Sequence, residues 1–197
     1  MKIIIHRCNT SKDLKLVNLA YGVEIDIRSY GGKLILHHDP YVQGEDFNDW
    51  IKEYKHAQLI LNVKEEGLED KILKILTVHK VKNYFFLDQS FPFLIKYSNL
   101  GEKNCAARIS EFESIETLIN LQKKIKWVWV DCFTKFPLSN SDIKILKKMS
   151  FNICIVSPEL QKRDSNNEIL NFINEIRDLD LLPDAVCTKR PDLWEKF

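Results

Sequence analysis

The 197-residue sequence is poor in the residues that break regular structure, with six glycines and six prolines scattered along it. This excludes a collagen-like or low-complexity chain and leaves no Pro/Gly-rich stretch to act as a linker between domains. Net charge is almost absent as well, since 29 basic residues against 28 acidic ones leave +1. No long-range field draws the chain to nucleic acid or to an anionic membrane, and neither is expected as a partner. No apolar run approaches the roughly 20 residues that span a bilayer, and Met1–Ile5 is too short for a leader, so no stable membrane anchor is expected. The five cysteines (Cys8, Cys105, Cys132, Cys154 and Cys187) are odd in number, far apart and without a CxxC pair. A disulfide frame and a thiolate zinc site are therefore not expected. Small buried thiols in a reducing, cytoplasmic setting are.

What the chain does have is 45% hydrophobic residues in a repeating order, enough for one domain over 1–197 with a substantial core. Eight short runs rich in β-branched and aromatic residues recur: Ile3–Ile5, Val23–Ile27, Leu59–Leu61, Tyr84–Leu87, Ala106–Ile109, Val128–Val130, Ile153–Val156 and Ala185–Cys187. A ninth, Lys33–Leu36, follows Gly31-Gly32 and reads as a hairpin extension of the second. Between them, apolar residues fall at helical spacing in Leu68–His79, Ile115–Leu121, Ile143–Met149 and Ile169–Ile176, and a short first helix is expected near Lys12–Ala20. Ser114, and Ser141 with Asp142, supply start signals. Strands alternating with helices imply a parallel sheet with right-handed crossovers. An open doubly wound sheet ordinarily places a glycine-rich phosphate turn after its first strand. Here the first strand runs into His6-Arg7-Cys8-Asn9, with no glycine. The expected fold is an α/β, compact (β/α)₈ TIM-type barrel with a short hairpin after its second strand.

The active face of such a barrel lies at the carboxyl ends of its strands. Those ends carry His6 and Arg7, then His37-His38-Asp39, Asn62 and Lys64, Asp88, Arg108, Asp131, Glu159 and Thr188-Lys189-Arg190. The second run, Val23-Glu-Ile-Asp-Ile-Arg28, is the most telling. Alternation puts Glu24, Asp26 and Arg28 on one face and the apolar residues on the other, so the charges point into the barrel. Two carboxylates facing inward repel each other unless a cation compensates them. Oxygen donors of this kind suit a hard divalent ion, Mg²⁺ or Ca²⁺; an internal salt-bridge network with Arg28 and Lys64 is the competing reading.

His6-Arg7, Glu24-x-Asp26 and His38-Asp39-Pro40, in that order, resemble the signature of the glycerophosphodiester phosphodiesterases, within the phospholipase-C-like barrel phosphodiesterases. Leu61-Asn62-Val63-Lys64, Ala107–Glu111 and Cys187–Pro191 extend the resemblance along nearly the whole chain. The resemblance implies a metal-dependent phosphodiester hydrolase. His6 and His38 would be acid and base, Glu24, Asp26 and Asn62 the metal ligands, Arg7 and Lys64 the phosphate contacts, with Arg108 and Asp131 also at the substrate. The substrate would be a small phosphodiester. Three departures stand out: Cys8 occupies the glycine position of the family's His-Arg-Gly, the loop after it is short, and Asn62 replaces a third metal carboxylate. Asn9 is a further possible ligand. A barrel that binds a phosphorylated ligand without turnover, and a lyase or phospholipase-D-like enzyme giving a cyclic phosphate, are the alternatives. Of the remaining residues, His56 and His79 are expected at the surface, Glu111 and Asp88 near the site or in caps, and at least one of Trp127 and Trp129 in packing.

Overall fold

A computed structural model describes residues 1–197. In chain order the first half comprises β1 (Lys2–Ile5), α1 (Ser11–Leu16), β2 (Gly22–Tyr30), β3 (Lys33–Leu36), β4 (Glu45–Asp46), α2 (Phe47–Trp50), β5 (Leu59–Val63), α3 (Glu69–Val78), β6 (Tyr84–Leu87) and α4 (Phe91–Asn99). The second half comprises β7 (Ala106–Ile109), α5 (Glu116–Asn120), β8 (Trp127–Val130), α6 (Asn140–Lys148), β9 (Asn152–Val156), a 3₁₀ turn (Pro158–Gln161), α7 (Asn166–Asp178), β10 (Ala185–Thr188) and α8 (Pro191–Trp194). Parallel ladders join β1 to β2, β2 to β5, β5 to β6, β7 to β8, β8 to β9, β9 to β10 and β10 to β1. The last seam, β6 to β7, carries only one parallel bridge, Phe86 to Cys105, beside the Phe86 N–H donating to the Asn104 carbonyl at 2.8 Å. The ring is thus laddered on every side but one, with a helix following each of its strands in the order of a (β/α)₈ barrel. No helix is long and apolar enough to cross a membrane.

The expected hairpin is β2–β3, antiparallel, with Tyr30 opposite Lys33. Gly31 and Gly32 have φ of +56° and +80°, as a two-residue type I′ turn requires of both central positions. Helix starts are built from side chains. Ser139 with Asp142, and Ser165 with Glu168, form capping boxes on α6 and α7, so the cap of α6 is Ser139 rather than Ser141. α1 stops at Leu16, short of Ala20, where the backbone turns extended at Val17.

Alternation along the strands separates two apolar clusters. A shell of 42 buried residues lies between strands and helices, and 11 others, including Ile4, Ile60, Phe85, Trp127, Trp129, Cys154 and Cys187, fill the barrel. Both tryptophans therefore pack inward, and Phe85 stacks on Trp127 at 4.4 Å. On the neighbouring strands small residues sit beside these rings, Ala106 in register with Trp127 and Cys154 with Trp129. All five cysteines are free and buried. Trp129→Ala is expected to destabilise the fold by about 3–5 kcal/mol, read as a lower denaturant midpoint; an unchanged midpoint would mean the lumen is not packed as described.

Candidate active site

Above the apolar plug, the inward positions turn polar. Glu24 and Asp26 on β2 are each 1% exposed. The turn after β1 is fastened onto them. Arg7 adopts φ +58° and its N–H donates to Glu24 Oε2 at 2.8 Å, while the Cys8 N–H donates to the Glu24 carbonyl at 2.8 Å. Asn9 then clamps Asp26 at two points: its Nδ2 donates to Asp26 Oδ2 and its Oδ1 accepts the Asp26 N–H, both at 2.8 Å. Asn9 spends its oxygen on the backbone, so it positions Asp26 instead of offering itself as a ligand. His6, facing inward from the end of β1, brings Nε2 to 3.9 Å from Glu24 Oε2.

A belt of alternating charge runs from this point around the mouth. Arg7 Nε lies 3.7 Å from Asp26 Oδ2, and Lys64 Nζ lies 3.2 Å from Asp26 Oδ1 and 3.7 Å from Asp88. Asp88 pairs with Arg108, and Arg108 Nη1 reaches Asp131 Oδ2 at 3.3 Å. Gln161 closes the series by donating to Asp131 Oδ1 at 2.6 Å. Arg7, Lys64, Arg108 and Asp131 are thus brought into one network, with Asp88 as its middle member. Arg28 pairs with neither Glu24 nor Asp26; its Nη1 lies 3.7 Å from Glu65 Oε1. Its Nε donates to the His38 carbonyl at 3.0 Å and its Nη1 to the Lys64 carbonyl at 3.4 Å, tying the hairpin to the end of β5. Arg28→Ala, which strands those carbonyls, is expected to cost about 1.5–3 kcal/mol, measured by thermal or denaturant unfolding.

His38 lies beyond β3, with its ring 42% exposed and its Nδ1 2.8 Å from Asp39 Oδ1. His37 uses its own Nδ1 to take the Asp39 N–H at 3.0 Å. The two candidate imidazoles occupy adjoining cavities whose shared wall is Arg7. One cavity, about 570 Å³, is lined by His6, Asp13, Tyr21 and Lys189; the other, about 790 Å³, by His37, His38, Asn9 and Glu45. Lys189 follows β10, and the alternation that turns Ala185 and Cys187 into the barrel is the sequence signal that it lines the His6 cavity. Glu111 accepts the Thr134 and Lys135 N–H groups at 2.6 and 2.8 Å, which makes it a loop anchor. His56 is buried, contrary to expectation, with Nε2 3.2 Å from the Val17 carbonyl.

The electrostatics follow from burial. Desolvation and the neighbouring Asp26 push the Glu24 carboxyl up to about 7, against N–H donors from Arg7 and Asn62 that oppose the rise. Burial, with Arg7 and Lys189 alongside, lowers the His6 imidazole to about 3. No group of three or more His, Cys, Asp or Glu side chains converges at ligand spacing. Asn62 stands beside the pair on the neighbouring strand, in register with Asp26. Asn62 Nδ2 donates to Glu24 Oε1 at 3.0 Å, and the buried Asn62 Oδ1 has no partner. An orphaned amide oxygen beside two buried carboxylates, one of them held up in pKa, is a donor set that a hard divalent cation fits, with one negative charge fewer than a tricarboxylate site has.

No family model matches the sequence, and no curated relative matches it. Solved structures do. A protein of Galdieria sulphuraria assigned to the glycerophosphodiester phosphodiesterases superposes with a TM-score of 0.76 at 14% identity, over 99% of this chain and 96% of that one. The glycerophosphodiester phosphodiesterase of Agrobacterium tumefaciens gives 0.67 at 14% identity, over 99% and 97%. The glycerophosphoryl diester phosphodiesterase of Parabacteroides distasonis gives 0.69 at 14% identity, over 99% and 85%. The chain has the fold of these enzymes over its whole length.

Proposed function

We propose that the chain is a divergent glycerophosphodiester-phosphodiesterase-like enzyme, a divalent-metal-dependent hydrolase of a small phosphodiester. The observation that carries this reading is the buried Glu24–Asp26 pair facing His6, Arg7 and Lys64. Adjacent carboxylates out of water burden a scaffold, and they serve a cation and an anionic substrate. Glu24, Asp26 and Asn62 would hold Mg²⁺ or Ca²⁺. Bound there, the ion would neutralise charge on the non-bridging phosphate oxygens. Arg7 and Lys64 contact those oxygens, and Arg108 and Asp131 face the organic part. His6, neutral because its surroundings resist a second proton, accepts the proton of the attacking hydroxyl. Burial is the larger cause of that depression; Arg7 and Lys189 add to it, and a bound phosphate would offset their share. His38, oriented by Asp39, protonates the leaving oxygen. The free, buried cysteines support a cytoplasmic setting.

The test is a panel of phosphodiesters with and without EDTA, products followed by phosphorus NMR. Turnover abolished by EDTA is expected, and activity that survives both EDTA and His6→Ala would sink the mechanism. A cyclic phosphate among the products would indicate attack by a substrate hydroxyl in place of water. One observation favours a second reading, a barrel that binds without turnover: each carboxylate of the pair already has partners within the chain. That reading requires a phosphorylated ligand to raise the melting temperature while no product forms under any metal condition.

A further inference from the structure

We infer that the end of the barrel away from the mouth, where connectors lead into β5, β6, β7 and β8, docks reversibly on an anionic phospholipid surface, whatever chemistry the mouth performs. The connectors into β6 and β8, residues 79–83 and 121–126, hold Lys80, Lys82, Lys123, Lys124 and Lys126 and no acid. Those into β5 and β7 add Lys55 and Lys103, and the acids near them are engaged: Glu53 pairs with Lys15 at 2.9 Å, and Glu102 accepts the Tyr84 hydroxyl at 2.7 Å. All these lysines are exposed, and none pairs with a carboxylate. The strand entries are neighbours in the ring. The Leu59 N–H donates to the Asn83 carbonyl at 2.9 Å, and the Lys126 N–H to the Lys103 carbonyl at 2.8 Å. Lys55, Lys80 and Lys82 stand with His79 around a cavity of about 350 Å³ whose walls contain no acid, room for a phosphate headgroup.

Helix dipoles do not account for the cluster. A cation that answers a dipole sits in the last turn. The last turns of α3 and α5 hold none, and Lys80, Lys82, Lys123, Lys124 and Lys126 lie beyond them. Nor does the net charge of +1 argue against it. The Debye length is about 8 Å at physiological ionic strength, so a surface in contact senses the nearest charges and little of the rest. The acids are concentrated elsewhere, with Glu24, Asp26 and Asp88 at the mouth and Asp178, Asp180 and Asp184 around the connector into β10. Unpaired like charges repel one another, and an anionic surface relieves that repulsion. The neighbours of the lysines favour a bilayer over a nucleic acid. Val78, 74% exposed, ends α3, and Leu100, 72% exposed, caps α4, close in the chain to Lys80 and Lys103. Aliphatic tips among lysines suit the boundary between headgroups and acyl chains. The four connectors offer no arginine and no exposed aromatic ring, the groups on which bases stack. With this end on the lipid, the mouth stays in water.

Co-sedimentation of the full chain with lipid vesicles tests this. Binding to three-to-one phosphatidylcholine–phosphatidylserine vesicles at low salt is expected, with little binding to phosphatidylcholine alone and release as salt is raised. Each lysine at the surface is equivalent to about fivefold in binding, so Lys80→Gln with Lys82→Gln should weaken it about 25-fold. Val78→Ser with Leu100→Ser should weaken it at unchanged charge. Lys33→Gln with Lys135→Gln removes the same charge from the mouth end and should leave binding as it was. All six positions are exposed, and unchanged melting temperatures should confirm that the variants fold. Equal losses from the two lysine pairs, binding indifferent to phosphatidylserine, or no binding at low salt overturns the docking face. A serine pair that binds as tightly as the wild type overturns it too, since a soluble polyanion makes no use of aliphatic tips. So does capture of a single-stranded oligonucleotide, abolished by Lys80→Gln with Lys82→Gln, while vesicles stay unbound.

Discussion

Glutamine at position 24 is expected to yield a barrel that melts at a higher temperature than the wild-type chain and turns over no phosphodiester. The carboxyl of Glu24 is raised from the ordinary glutamate value of 4.5 to about 7 by burial and by Asp26. A group whose folded-state pKa is raised adds stability below its unfolded value, and that stability is lost as pH climbs through the folded value. The window is therefore 4.5 to about 7, and at pH 8 without divalent cations the ionised Glu24 burdens the fold by about 2–3 kcal/mol. Glutamine is uncharged at any pH. Its carbonyl keeps the Arg7 N–H, and its amide can donate to Asn62 Oδ1 once the Asn62 amide turns over and gives up the bond its Nδ2 makes to Glu24 in the wild type. For a chain of this length the relief corresponds to roughly 4–10 °C in melting temperature in EDTA at pH 8. Saturating Mg²⁺ or Ca²⁺ should stabilise the wild type and leave the variant unmoved. The kcat/KM should drop about a thousandfold or more, because under the proposed mechanism the variant loses a carboxylate that would help hold the charge-neutralising cation. A variant that keeps its activity removes Glu24 from the chemistry; one that melts lower in EDTA means the belt compensates the buried charge in full.

Much of this was legible beforehand, and the reasons differ from residue to residue. The run Val23-Glu-Ile-Asp-Ile has one arrangement in a barrel strand, because exposing isoleucines to the lumen mouth and carboxylates to the helix shell would invert both burial preferences. Gly31-Gly32 could only be a turn. Helix α4 is masked in the sequence because Phe91-Pro-Phe-Leu-Ile begins it with an unbroken apolar run, which blurs the 3.6-residue spacing. The charged belt was visible only as separate strand ends. That Lys64 sits between Asp26 and Asp88, or Arg108 between Asp88 and Asp131, depends on which strands are neighbours in the ring. Arg28 shares the period-2 face of Glu24 and Asp26, and alternation alone groups it with them. β2 runs past the barrel into the hairpin, however, so Arg28 meets loop carbonyls and Glu65 in place of Glu24 and Asp26. Asn9 shows the same limit from the other direction. Its side chain suits a metal, and only the fold reveals that the backbone of Asp26 has already taken its oxygen.

His6 and Glu24 are displaced in opposite directions, and replacing either should expose the other. The imidazole, lowered from 6.5 to about 3 by burial and by Arg7 and Lys189, stays neutral in the fold while the unfolded chain takes up a proton below pH 6.5. Stability contributed by neutral His6 is complete above 6.5 and falls as the solution is acidified toward about 3, by about 3 kcal/mol near pH 4. Glu24 gains over the same range, since its protonation below about 7 is favoured by the fold. Between pH 4.5 and 6.5 the two opposing slopes largely cancel, and the wild-type chain in EDTA should show a nearly flat stability profile. His6→Gln leaves Glu24 alone, so its stability should rise on acidification. Glu24→Gln leaves His6 alone, so its stability should fall. Denaturant titrations at pH 4.5, 5.5 and 6.5 resolve slopes of this size, and parallel profiles for the two variants would contradict the burial assigned to both groups. Catalysis gives the second readout. Without its base, His6→Gln should lose about 10²–10⁴ in kcat/KM. Lys189→Met, which removes one of the charges depressing the imidazole, should weaken binding but move the acid limb of the remaining activity upward in pH, a shift that a lysine serving only to hold the β10 loop would not produce.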